Sequence, residues 1–132
     1  DKGEACTGFA VMGGIFAEGI DLVGERLSGV AIVGVGLPSI CWQRELIRHH
    51  FNRSSRHGYP SAYLYPGINR VLQAAGRVIR SRRDRGVVLL IDDRYGQAAY
   101  KRLLPPEWRP QRLHAVERVR QSLREFWSRQ DG

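Results

Sequence analysis

The segment Gly29-Val30-Ala31-Ile32-Val33-Gly34-Val35-Gly36 constrains the fold of this chain more than any other. Its apolar character is continuous, not alternating, and Leu37-Pro38-Ser39 ends it. A strand that is hydrophobic on both faces belongs inside a parallel sheet with helices on either side. Gly86-Val87-Val88-Leu89-Leu90-Ile91 repeats the pattern and stops at Asp92-Asp93-Arg94; Phe9-Ala10-Val11-Met12, before Gly13-Gly14, is a shorter run of the same kind. Helical patterns cover Trp42 to Phe51, Pro66 to Arg80 and Gly96 to Leu104. A last helix follows Pro110, with Leu113, Val116, Val119, Leu123 and Phe126 at three- and four-residue steps and Glu125 spaced to pair with Arg129. This order predicts an α/β domain with a three-stranded parallel sheet flanked by helices. Because the first strand starts almost at residue 1, the chain reads as the later part of a longer domain.

At 132 residues the chain is one domain at most, and 42% hydrophobic residues suffice for a core. The division expected is 1–110 for the α/β body and 111–132 for an arginine-rich amphipathic helix packed on it. The formal charge of +8 is carried almost wholly by arginine, Lys2 and Lys101 being the lysines. Excess positive charge favours polyanions: nucleic acid, nucleotide phosphates or an anionic surface. Cys6 and Cys41 stand apart, without CxxC spacing, which argues against a zinc site or a disulfide framework and suits a reducing compartment. No apolar run is long enough to span a membrane and no signal peptide is apparent, so a cytoplasmic location is expected.

Chemistry is concentrated in few places. No stretch matches a P-loop, no histidine pair has zinc spacing, and the serines lack a nucleophile elbow. In the helix opened by Pro66, Ile68, Val71, Leu72, Ala75, Val78 and Ile79 share one side at about 100° per residue. Gln73, Arg77 and Arg80 fall within roughly 60° on the other, which makes a claw of two guanidinium forks and an amide suited to a phosphate chain. Read alone, the same face is equally a solvated arginine surface. Glu18 and Asp21 lie three apart in the loop Gly14–Asp21, where they can order a magnesium-bound water, contact ribose, hold basic groups of a neighbouring domain or simply be solvated. Asp92-Asp93-Arg94, at a strand end where α/β sheets place functional loops, is alternatively an aspartate pair that caps the next helix and pairs with Arg94.

Taken together, Gly14-Ile15-Phe16-Ala17-Glu18-Gly19-Ile20-Asp21, a buried strand, and Gln73-Ala74-Ala75-Gly76-Arg77-Val78-Ile79-Arg80 resemble motifs V and VI of superfamily 2 helicases of the DinG/XPD type. Asp84-Arg85-Gly86 and Leu90-Ile91-Asp92-Asp93-Arg94-Tyr95 are similar to that group as well, and the resemblance runs from about Phe9 to Trp108. Ala17 departs from it, many relatives having a small hydroxyl residue there. The resemblance implies the carboxyl-terminal part of a RecA-like, P-loop-NTPase-type second motor lobe, with ATP and Mg²⁺ held against a first lobe not in this chain. It assigns Arg77 and Arg80 to catalysis, at least one as an arginine finger. It gives Gln73 to nucleotide sensing or bridging of the lobes, Gly76 to close approach of the helix to its neighbours, and Glu18, Gly19 and Asp21 to coupling the nucleotide to the DNA track. It further implies single-stranded or forked DNA as partner, no iron–sulfur ligands in this segment, and a chain inactive by itself. A non-enzymatic basic α/β module that binds nucleic acid or a partner is the competing reading; a metabolic α/β enzyme fragment has no placed nucleophile or base to support it.

Overall fold

Residues 5–14, 27–79 and 84–129 are described by the structure, a computed structural model. Two five-residue strands rich in β-branched side chains, β1 (Gly29–Val33) and β2 (Val87–Ile91), pair in parallel with Gly29 opposite Val87 and Val33 opposite Ile91. Parallel pairing demands a long crossover. It is supplied by helix α1 (Trp42–Ser54), a π-helical turn (Pro60–Leu64) and helix α2 (Tyr65–Ala75). Beyond β2 come a 3₁₀ turn (Asp93–Gly96), the single turn α3 (Ala98–Lys101) and helix α4 (Val116–Ser128).

The core lies between the sheet and α2. Alternate strand residues face one way, so Val30, Ile32, Val88 and Leu90 meet Val71 and Ala75 of α2, while Val35, Leu64, Ile68 and Tyr100 form a second cluster at the carboxyl end of the sheet. On the opposite face Val33 and Ile91 remain 72% and 51% exposed. Gly36 lies against α2: its φ is +65°, and a Cβ there would stand 2.7 Å from the Gly67 carbonyl oxygen, so glycine lets the first turn of α2 settle on the loop after β1.

Four expectations are corrected. Phe9–Met12 forms no strand: Phe9 and Val11 are exposed and Met12 alone reaches the core, so the described sheet has two strands, not three. An apolar run becomes a strand only where a neighbour takes its hydrogen bonds, and the ladder of β1 goes to β2. The helix expected over Pro66–Arg80 starts earlier, through the π turn in which the Tyr65 N–H reaches the Pro60 carbonyl. Pro66 has no N–H to donate, and a widened turn before it accommodates the break in the ladder. That helix also ends at Ala75, short of Arg80. Finally, Glu125 accepts from the Gln121 amide at 2.8 Å and not from Arg129, whose extended backbone (φ −73°, ψ 100°) has left the helix and lost the four-residue spacing.

Candidate functional site

The end of α2 carries the described part of the expected claw. Ile68, Val71 and Ala75 are buried on the sheet side, which fixes the roll of the helix and turns Gln73 to solvent. The Gly76 N–H still donates to the Leu72 carbonyl at 2.8 Å, but the Arg77 and Val78 N–H groups reach back only three residues, to Ala74 (3.3 Å) and Ala75 (3.0 Å). The last turn thus tightens, as helix ends commonly do. Arg77 stands half-buried just beyond the regular helix, and Val78 plugs the core beneath it at 5% exposure.

Gly76 is not needed for its dihedrals: at φ −64°, ψ −11° any residue fits. A Cβ there would meet the Leu72 carbonyl oxygen at 3.2 Å, that of Gln73 at 3.8 Å, and nothing else within 4 Å. The close approach expected at this glycine is therefore not to a neighbour in the described chain; the glycine leaves bare backbone beside Arg77. Gln73, Gly76 and Arg77 are brought to one exposed helix end. Arg80, Glu18, Gly19 and Asp21 lie outside the described residues, and because α2 stops at Ala75 the helical arc no longer relates Arg77 to Arg80.

In the middle of α2 stands Arg70, which no sequence motif singles out. Its Nη1 donates to the Gly36 carbonyl at 3.4 Å, and a Cβ on Gly13 would stand 3.2 Å from its Nε. Arg70 therefore spans from the turn that enters the Glu18–Asp21 segment to the loop after β1. The signal was present: Arg70, Gln73 and Arg77 follow i, i+3, i+7 spacing, the repeat of one helical face.

At the carboxyl end of β2 the structural alternative holds. Asp92 accepts from the Arg94 backbone N–H at 2.9 Å and from its guanidinium at 2.9 and 2.8 Å, capping the 3₁₀ turn. The Arg94 guanidinium holds the Asp92 carboxyl at a pKa of about 2. The Tyr95 hydroxyl donates to the Gly34 carbonyl at 2.8 Å, tying the two strand ends together, and burial pushes its pKa up to about 12. Asp92 is thus engaged by Arg94 and does not fit a metal ligand. Leu46, His49, His50, Arg53 and Ser54 of α1 line an open groove of about 400 Å³, and Arg56, at φ 58°, lies in the bend that follows α1. No helix among the described residues is long and apolar enough to cross a membrane.

Comparison with known proteins bears on this arrangement. Residues 1–111 match the model of the helicase C-terminal domain. A probable ATP-dependent helicase of Methanocaldococcus jannaschii is 33% identical over 104 residues, covering 72% of this chain and 16% of that protein. The ATP-dependent DNA helicase chl-1 of Caenorhabditis elegans is 35% identical over 97 residues, covering 73% of this chain and 12% of the relative. The ATP-dependent DNA helicase chl1 of Schizosaccharomyces pombe is 26% identical over 135 residues, covering 96% of this chain and 16% of the relative. The chain thus spans a small fraction of the length of each.

Proposed function

The chain belongs to the helicase C-terminal domain family, in its DinG/XPD-type branch, and on that premise we propose that it is the carboxyl-terminal part of the second RecA-like lobe of an ATP-dependent DNA helicase. The observation that carries the reading is the end of α2: Gln73, on a helix whose opposite side is locked into the core, is presented together with Gly76 and Arg77 just beyond that helix. A guanidinium rooted on such a base is preorganised, which is what stabilising a transferring phosphoryl group requires. Arg77 is assigned as the arginine that meets the nucleotide from this lobe, with Arg80 as its companion. An arginine finger contributes roughly 10³–10⁵ in rate in comparable systems. The bare backbone at Gly76 admits the opposing lobe or the nucleotide closely.

Mg²⁺ and the P-loop belong, on this reading, to a first motor lobe that the 132 residues do not contain. Mg²⁺ bound there would supply charge neutralisation at the nucleotide phosphates. Glu18, Gly19 and Asp21 couple that cleft to single-stranded or forked DNA, which Arg53, Arg56 and the arginines of α4 assist through backbone phosphates. The 132-residue chain alone hydrolyses no ATP; single-turnover hydrolysis by the purified chain contradicts the proposal.

The deciding experiment is Arg77→Ala in a two-lobed protein containing this chain. ATPase is expected to fall by roughly 10³-fold or more, with affinity for single-stranded DNA retained. Collapse of DNA binding with ATPase intact assigns Arg77 to the DNA track, and a protein with no upstream P-loop favours the non-enzymatic binding module.

A further inference from the structure

Helix α4 lies beyond residues 1–111, the segment that matches the family, and it buries none of its residues. Its attachment runs through Arg85, within that segment. The Arg85 guanidinium donates to the carbonyls of Phe126 and Arg129 at the end of α4. It also stacks on two rings, 4.9 Å from the Phe126 centroid and 5.4 Å from that of Trp127. The last carbonyls of a helix have no partners in the helix and carry the negative end of its dipole, so a cation there is doubly favoured. The rings add cation–π attraction, and Phe126 and Trp127 stack edge to face at 5.0 Å, so the aromatic seat is itself braced.

Arg85 stands next to Gly86, and Gly86 is pressed against Val78: a Cβ on Gly86 would lie 2.2 Å from Val78 Cγ1. Val78 follows Arg77 and is buried. A continuous line of contacts therefore leads from the end of α4 through Arg85, Gly86 and Val78 to Arg77. We propose that Arg85 is a positioning residue, a clamp by which α4 braces the connection between α2 and β2 and so fixes the backbone at Arg77. The functional meaning of the brace rests on the reading of Arg77 as the nucleotide-facing arginine. With α4 docked, Val78 and Gly86 are held in contact; with α4 released, the turn that carries Arg77 loses its outer support.

The test is hydrogen exchange in the 132-residue chain, read by NMR at α4 and at the bonded amides of Gly76, Arg77 and Val78. Phe126→Ala touches neither Arg77 nor Val78. It is expected to raise exchange by roughly tenfold both in α4 and at Arg77 and Val78, while the amides of β1 and β2 keep their protection. Arg85→Ala gives the same pattern. Arg85→Lys keeps the charge but not the planar group that bonds two carbonyls and stacks on two rings, so exchange at Arg77 is expected to rise above the parent and stay below that of Arg85→Ala. If α4 loosens and Arg77 and Val78 stay protected, or if neither changes, the clamp is overturned. Should Phe126→Ala fail to fold, Trp127→Ala replaces it with the same expected pattern. Failure here leaves the nucleotide role of Arg77 intact, whereas an Arg77→Ala protein that keeps its ATPase removes that role and leaves the exchange result standing.

Discussion

Asp92 shows how one short-range contact decides between two readings of an acidic strand end. An aspartate at the carboxyl edge of a sheet is equally suited to a ligand or to a cap. Three hydrogen bonds from Arg94, two residues on, make it a cap. Its carboxyl group is depressed from 3.8 to about 2 in the folded chain, so the stabilisation is complete above pH 3.8 and is lost as the pH falls through 2. A shift of that size has an upper bound of about 2.4 kcal/mol, but Arg94 is 41% exposed and solvent screening reduces the effect to roughly 1 kcal/mol. Asp92→Asn keeps an acceptor for the backbone cap and removes the charge, so denaturant melts should show a loss of about 1 kcal/mol at pH 7 that has mostly gone by about pH 2 and vanishes below it. A difference undiminished at pH 2 excludes the ion pair as its cause. Tyr63 titrates in the opposite sense: its hydroxyl donates to Glu45 Oε1 at 2.6 Å, joining the π turn to α1, and that bond, with burial, raises its pKa from 10.0 to about 12. The neutral phenol is the bonded form, so its contribution is present below pH 10 and lost as the pH rises through 12. Ultraviolet titration of Tyr63→Phe should lack one equivalent of the late-ionising phase; an unchanged late phase contradicts the assignment.

Elements were legible wherever the signal was local. Continuous apolar runs marked β1 and β2 because residue pattern and burial coincide there, and the three- and four-residue steps marked α4. Phe9–Met12 has the same pattern without a partner strand among the described residues, and periodicity records hydrophobicity, not pairing. The π turn was invisible because it arises from a broken hydrogen-bond ladder at Pro66, not from residue preference. The end of α2 was misplaced because Val78 and Ile79 continue the apolar face past Gly76, although the backbone has already tightened into three-residue turns. Val78 stays buried because Gly86 makes room for it. Gly86→Ala places a methyl group on Val78 Cγ1, and overpacking of this kind costs about 1–3 kcal/mol. Val78→Ala in the same background should recover part of that loss, and a double-mutant cycle measures the recovery. Strict additivity means that the two side chains do not share the space.

For the molecule as a whole, the site was legible up to the point where long-range geometry enters. Gln73, Gly76 and Arg77 are neighbours in sequence and remain neighbours in space. Arg85 reads in sequence as one arginine in a charged turn because Phe126, which it grips, lies 41 residues further on. Global charge was legible from the start, and its consequence is physical without any contact being specified. On the proposed DNA-binding role, a chain at +8 should attract single-stranded DNA mainly by releasing counterions from phosphates. With roughly four phosphates neutralised, the slope of log K against log salt is about −2.8, so affinity should fall by roughly fiftyfold between about 50 and 200 mM salt. Arg53 borders the α1 groove and Arg56 lies in the bend that follows α1. If both contact phosphates, replacing both by alanine makes the slope shallower by about 1.4 whatever the base sequence. Fluorescence anisotropy with an oligonucleotide over a salt series measures both quantities. A slope near zero removes the electrostatic track altogether, and an unchanged slope in the double variant moves it away from α1, towards the arginines of α4.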